Sequence, residues 1–153
     1  MVVIGAGVIG LEMGTVWRRL GSEVEVTEFL PRILNGMDTE ISEKFMKILV
    51  NQGIKFRLGW SVEKTSITGD VVDLQIKEQL NSNEEKLQAD AVLVAVGREP
   101  NTQNLGLSNI GLKLDKKGFI ETDENFETNI SNIYAIGDVI KGPMLAHKAC
   151  LLY

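Results

Sequence analysis

The sequence is poor in the residues that staple a fold or bind metal. Its 153 residues hold one cysteine, Cys150, and one histidine, His147. A lone thiol excludes an internal disulfide and with it a disulfide-stapled scaffold. The histidine lacks further Cys or His ligands close by, so no metal site is expected. Long apolar runs are missing too. Runs such as AVLVAV, Ala91 to Val96, are far too short to span a bilayer, and no membrane partner is expected. No signal peptide is expected ahead of the first strand. Lys and Arg are never dense enough to form a nucleic-acid footprint, and 16 basic against 21 acidic side chains leave a net charge of −5. Small molecules or proteins are therefore the expected partners, and no nucleic acid. Internal repeats and low-complexity tracts are absent as well.

What is present reads as one soluble globular chain, 44% hydrophobic and long enough for a real core. The first third alternates strand and helix. Val2 to Ile4 predicts a short buried strand. Ile9, Met13, Val16 and Leu20 then recur at helical spacing as one apolar face, with Gly21 as C-cap. EVEVTEF predicts a second strand with Val24 and Val26 on one side. Asp38 caps a second helix whose apolar positions Ile41, Phe45, Ile48 and Leu49 share a face, and Gly53 ends it. This β-α-β-α order favours a parallel sheet with right-handed crossovers. After about Lys55 the period changes to two: VVDLQIK, with Val72, Leu74 and Ile76, and the polar NSNEE predict an antiparallel meander. AVLVAV then reads as a strand covered on both faces. Beyond Gly97 the chain is rich in Gly, Asn and charge, as in a surface connection. NIYAIGD reads as a short strand ending in Gly-Asp, and MLAHKACLLY as the start of a helix.

The first strand runs straight into Gly5, Gly7 and Gly10, a G-x-G-x-x-G opening a helix. In such a turn the first glycine permits the tight bend, the second admits a pyrophosphate to the backbone and the third lets helix and strand pack closely. Free amides at the helix N-terminus face the phosphates, and the helix dipole favours them. Gly14 extends the small-residue face by another turn. Glu28, at the end of the second strand and roughly 20 residues on, can accept a hydrogen bond from a ribose 2′-hydroxyl and would repel a 2′-phosphate, which favours NAD over NADP. Close strand–helix packing without any ligand is the bland reading of the same glycines. Glu12, in the opening turns of the helix, is favoured there by the dipole, and taken alone it reads as structural or solvated more often than as functional.

GAGVIGLEMGTVWRRLGSEVEVTEF, AVGREPNTQNLGL and NIYAIGDVIKGPMLAHKA together resemble the pyridine-nucleotide-disulfide oxidoreductases, in order and spacing, from Met1 to about Ala149. GPMLAHKA most favours the branch that oxidises dihydrolipoamide. The resemblance implies an α/β fold: a Rossmann-like parallel sheet with an antiparallel β-meander, the NAD-binding domain of the FAD/NAD(P)-binding fold, over residues 1–97. Residues 98–153 would be an incomplete return segment into the FAD-binding domain.

Carried over residue by residue, the resemblance places Gly5, Ala6, Gly7, Val8, Ile9, Gly10, Leu11 and Glu12 along the pyrophosphate and nicotinamide part of NAD, with Glu28 on the adenosine ribose. Val62 would lie beside the adenine, and Gly97 would let the backbone approach the dinucleotide. Asp138 would hydrogen-bond the ribityl chain of FAD, while Met144, Leu145, Ala146 and His147 pass the flavin ring, His147 through its main chain at most. The implied cofactors are NAD and FAD. The implied partners are 2-oxo acid dehydrogenase complexes, with a homodimer only for the full-length protein, in the mitochondrial matrix or bacterial cytoplasm.

The complete family enzyme passes two electrons from a dithiol through a redox disulfide and FAD to NAD⁺. This sequence has neither the Cys-x-x-x-x-Cys pair nor the His-Glu base of that route, so no catalytic residue is assigned to it. After HKA it reads CLLY where the family has acidic residues and a glycine. The expected product is a fragment inactive alone. A stand-alone NAD-binding or subunit-interaction module, and a non-functional truncation product, remain open beside it.

Overall fold

The computed structural model describes residues 1–151, and the last two residues of the CLLY run lie outside that range. The chain divides into two compact units, Met1–Gly97 and Arg98 onward.

In the first unit, β1 (Val2–Ile4) leads into α1 (Val8–Arg19), then β2 (Glu25–Glu28), α2 (Thr39–Asn51) and β3 (Lys55–Leu58). The three strands run parallel and are joined by β7 (Val92–Val94) in the order β3-β2-β1-β7. In the register, Val3 lies beside Val26 on one side and Leu93 on the other. Between β3 and β7 the chain forms an antiparallel sheet of β4 (Trp60–Thr68), β5 (Val71–Glu78) and β6 (Glu84–Ala89). Alternation along β1 assigns the two faces of the parallel sheet to two cores. Val3 and Val26 pack with Leu11 of α1 and Leu49 of α2, whereas Val2 packs with Leu74, Ile76 and Ala89 of the meander. The result is helices, parallel sheet and meander in three layers, the α/β architecture expected. Arg57 of β3 bridges sheet to meander: it pairs with Glu25 of β2 and, at 2.6 Å, with Glu85 of β6. Its guanidinium also lies 5.5 Å from the centre of the Trp60 ring. Burial pulls its pKa down, but the bonds and charges of Glu25 and Glu85 outweigh that and hold it above the ordinary arginine value.

The helix ends behave as their sequences dictate. Asp38 accepts from the Ile41 amide (3.2 Å) at the start of α2, and Gly21 and Gly53, just past α1 and α2, take positive φ. The faces do not. Gly10, Leu11 and Gly14 form the buried side of α1, and Ile9, Met13, Val16 and Leu20 are exposed on the other. The reason is distance: with two glycines turned inward the helix sits too close to the sheet for a row of long side chains. In α2 the buried positions are Ser42 and Leu49, with Phe45 half-buried, while Ile41 and Ile48 face out. Ser42 wins that place because its hydroxyl donates back to Asp38 O at 2.9 Å. Ala91–Val96 is not doubly covered either. β7 is three residues long at the sheet edge, and Val94 and Val96 are exposed.

The second unit holds its own small core, Leu112, Ile120, Ala135 and Ile140. No strand ladder forms among its described residues. Single bridges, Leu114–Ile120, Thr122–Thr128, Glu127–Tyr134 and Ile120–Ile140, do the pairing. NIYAI is therefore not a strand: Tyr134 makes one bridge and is exposed. Aspartates organise the turns, Asp115 Oδ1 accepting from the Lys117 and Phe119 amides and Asp123 Oδ1 from those of Asn125 and Glu127. The chain then enters α3 (Ala146–Leu151).

Candidate functional site

Strand order decides where a ligand can enter the first unit. From β1 the chain crosses to β2 and on to β3 on one side, while β7 lies on the other. The reversal at β1 opens a crevice beyond the carboxyl ends of β1 and β7, where open α/β sheets bind ligands.

The glycine turn occupies that end of β1. Gly5 takes φ 103°, and a Cβ on it would lie 2.4 Å from Ala95 O, so β7 presses against the turn. A Cβ on Gly10 would lie 2.1 Å from Gly5 O, so α1 presses on it from the other side. Gly7 differs. As N-cap of α1 it has ordinary angles, φ −76° and ψ 179°, and a Cβ there would meet nothing within 4 Å. Two glycines are thus required by packing, and the middle one borders open space. Gly7 has no side chain to cap α1, and the first intrahelical bond is from Leu11 N–H to Gly7 O at 3.1 Å. The N–H groups of Val8, Ile9 and Gly10 consequently point out of the helix end with no intrahelical acceptor. Val8 and Ile9 are exposed, whereas the side chains of Ala6 and Leu11 belong to the core. Glu12 is exposed at the fifth helical position, beyond the first turn, so the dipole gives little reason for an acid there.

Glu28 is drawn to the same place. Its Oε2 accepts from Ala6 N–H (2.6 Å) and its Oε1 from Leu30 N–H (2.8 Å). A carboxylate offers about four lone-pair positions, so two acceptor directions remain. Ala6 O in turn accepts from Leu34 N–H at 2.9 Å. Leu34 reaches that bond with φ 48°, a conformation uncommon for leucine. Gly97, two residues past the Ala95 contact, takes φ 142° and likewise borders open space. Val62 is half-buried in β4 and packs into the meander core opposite Ile76. Gly5 to Gly10, Glu28 and Gly97 are therefore gathered at the strand ends, while Val62 belongs to the other sheet. Beside Glu28, Thr27 keeps a buried hydroxyl with no hydrogen-bond partner.

A separate cleft, about 660 Å³, is lined by Met1, Trp17, Glu23, Val71 and Asp90. It sits at the amino end of β1 and contains none of the motif residues, so it is not the candidate site.

In the second unit Asp138 lies exposed in a 3-10 turn, Gly137–Val139. Arg98 Nη1 approaches its Oδ2 at 3.7 Å, and Arg98 Nη2 donates to Met144 O. Lys148 Nζ donates to Gly137 O (3.2 Å) and Lys141 O (3.2 Å). Arg98 thus ties Asp138 to Met144, and Lys148 ties the start of α3 to the carbonyls flanking Asp138. Sequence reasoning passed over both, and the only signal was their immediate adjacency to motif residues Gly97 and His147. The His147 side chain is exposed. Among the described residues no group of three or more His, Cys, Asp or Glu could hold a metal, and no helix is long and apolar enough to cross a membrane.

Comparison with known proteins agrees with this geometry. Residues 1–151 match the family model described as pyridine nucleotide-disulphide oxidoreductase. The chain is 51% identical to the mitochondrial dihydrolipoyl dehydrogenase of Pisum sativum, over 97% of this chain and 30% of the relative. It is 50% identical to the leghemoglobin reductase of Glycine max, over 97% and 28%. Among solved structures, the HOCl-induced flavoprotein disulfide reductase RclA of Escherichia coli, as its Cu(II) complex, superposes with a TM-score of 0.87 at 30% identity, over 97% of this chain and 32% of that one. The chain spans about 30% of the length of the curated relatives it matches.

Proposed function

The chain belongs to the pyridine nucleotide-disulphide oxidoreductase family, and from that premise we propose that it is the nucleotide-accepting part of a dihydrolipoamide dehydrogenase. In this reading residues 1–97 form the NAD-binding domain and residues 98–153 return into the FAD-binding domain. The observation that carries the reading is the open space over Gly7, framed by two packed glycines and joined to Glu28 through Ala6.

Bound NAD⁺ supplies a hydride acceptor, and FAD a two-electron carrier between a dithiol and that acceptor. The residues present fit both groups. The amides of Val8, Ile9 and Gly10 hold the diphosphate, and Gly7 and Gly97 keep side chains out of its way. Glu28 accepts from the adenosine ribose with its two remaining lone-pair directions and Glu12 lies on the nicotinamide side, while Val62, packed opposite Ile76 in the meander, would meet the adenine only with the flank its neighbours leave uncovered. Asp138 accepts from the ribityl chain, steadied by Arg98, and Met144 to His147 present main chain to the flavin. Cys150 is the only thiol, so the redox disulfide belongs to the rest of the protein and this chain alone does not turn over dihydrolipoamide. Association with 2-oxo acid dehydrogenase complexes and dimerisation of the full-length enzyme follow from the same reading. Relatives named as mitochondrial favour the matrix over a bacterial cytoplasm.

Calorimetric titration with NADH and NADPH tests this directly. Binding of NADH, with clear preference over NADPH, is expected. Equal binding of the two would remove the role of Glu28, and no binding of NADH would remove the site. A second reading, a stand-alone NAD-binding module, is favoured by the self-contained core of residues 1–97. A complete gene carrying no FAD domain with a cysteine pair upstream would decide for it.

A further inference from the structure

The segment after β2 is closed onto a single residue of the glycine turn, Ala6. Glu28 takes the Ala6 N–H and Leu34 donates to the Ala6 carbonyl, so residues 28 to 34 form a loop pinned at both ends on Ala6. Arg32 lies inside that loop and is the only Lys or Arg between Glu28 and Asp38. Its guanidinium is turned toward α2: Nε donates to Asn35 Oδ1 (3.3 Å), Nη2 to Asn35 O (2.8 Å) and Nη1 to Thr39 Oγ1. All three acceptors are neutral. They fix the direction of the side chain and leave its positive charge uncompensated. An arginine near the acid that ends the second strand is the group by which this type of fold accommodates a 2′-phosphate.

Resting on the dinucleotide reading above, we infer that Arg32 is a specificity residue held in a withdrawn position. Asn35 and Thr39 tether it to the start of α2, so that Glu28 alone faces the adenosine ribose and selects a 2′-hydroxyl. The tether, together with the charge of Glu28, is what excludes a 2′-phosphate. Freed from it, the same guanidinium is a phosphate clamp.

The test uses the 153-residue chain with NADH and NADPH as probes, followed by calorimetry and by thermal melting of each variant. Glu28→Gln removes the charge and keeps one acceptor for the Ala6 or Leu30 amide. It is expected to weaken NADH binding about tenfold and to leave NADPH weak. Adding Asn35→Ala and Thr39→Val, both at exposed positions, removes the two side-chain acceptors and leaves Arg32 only the Asn35 main-chain carbonyl, a single bond that a phosphate can displace; NADPH affinity is expected to rise about tenfold over Glu28→Gln alone, a gain that falls with salt. Adding Arg32→Gln to that triple variant should abolish the gain. An equal NADPH gain from Glu28→Gln alone, or a gain that survives Arg32→Gln, overturns the inference. So does the absence of any gain in the triple variant. If Glu28→Gln does not fold, Asn35→Ala/Thr39→Val with Glu28 intact must still improve NADPH binding over wild type, and no improvement overturns the proposal. Wild-type chain that binds no NADH overturns the dinucleotide reading itself, a result distinct from all of these.

Discussion

Alanine at Gly7 and alanine at Gly10 should do opposite things to the same protein. At Gly10 the added methyl would stand 2.1 Å from Gly5 O and 3.3 Å from Val3 Cγ1. The first distance falls more than an ångström short of ordinary contact with a backbone atom that β7 holds from behind, so helix and turn must separate. The cost is that of overpacking, about 1–3 kcal/mol. Such a loss lowers the melting temperature by about 4–8 °C per kcal/mol in a unit of this size. At Gly7 the methyl meets nothing within 4 Å and the backbone is already in an extended region open to any residue. Alanine restricts the unfolded chain but is a poorer N-cap than glycine, and these effects nearly cancel, leaving stability within about 1 kcal/mol of wild type. The methyl does occupy the approach to the helix amides, so NADH affinity should fall at least about tenfold, or about 1.4 kcal/mol. Circular dichroism melting and NADH titration of the same preparations separate the two effects. Gly7→Ala that melts normally and binds NADH as well as wild type would refute the idea that the open space over Gly7 is where the coenzyme lies.

Thr27→Val replaces an orphaned hydroxyl, in a side chain only 1% exposed, by a methyl of the same shape. It should stabilise the chain by about 1 kcal/mol in urea unfolding, and a loss of stability would mean that a buried water satisfies the hydroxyl. Arg57→Gln removes the bridge to Glu25 and Glu85 and should cost about 1 kcal/mol, less in high salt because the pairs are partly exposed. The pKa of Arg57 is raised in the fold, so its contribution is fully present below the ordinary arginine range and is lost only above the folded value. Denaturation of wild type and variant should therefore differ equally across the range about pH 6–10, and a steep pH dependence there would contradict the assignment. Residues from Arg98 on, joined by single bridges, should exchange their amides faster than Ala91 to Val96. Equal protection would show the second unit to be as firmly held as the first.

Local chemistry was legible in the sequence wherever one residue type has one physical use. Asp38 and Gly53 bound α2 as expected, and period two in VVDLQIK gave the meander because only one face of β5 is buried. The three glycines marked the turn and the third was assigned to packing, but that Gly5 is packed as well, against Ala95, depends on where the chain returns after β7 and was not legible. The helix faces were not legible. In α1 glycine makes the contact and apolar side chains are turned away, so counting hydrophobic residues selects the wrong side. β3 was missed because KFRL is too short and too charged to read as a strand, and it is recruited by pairing with β2. NIYAI has strand composition but finds only one bridge. Arg98, Lys148 and Arg32 were invisible for a different reason: each acts through oxygen acceptors whose positions depend on folded loops.

The outward row on α1 has a practical consequence for handling the protein. Ile9, Met13 and Val16 are each more than two-fifths open to water and Leu20 is 71% so. A rod greasy on two opposite sides behaves in solution like an adhesive strip. Concentrated stocks of the purified chain should grow in light scattering as they are brought up from dilute samples, and replacing Leu20 and Val16 by glutamate should keep them clear.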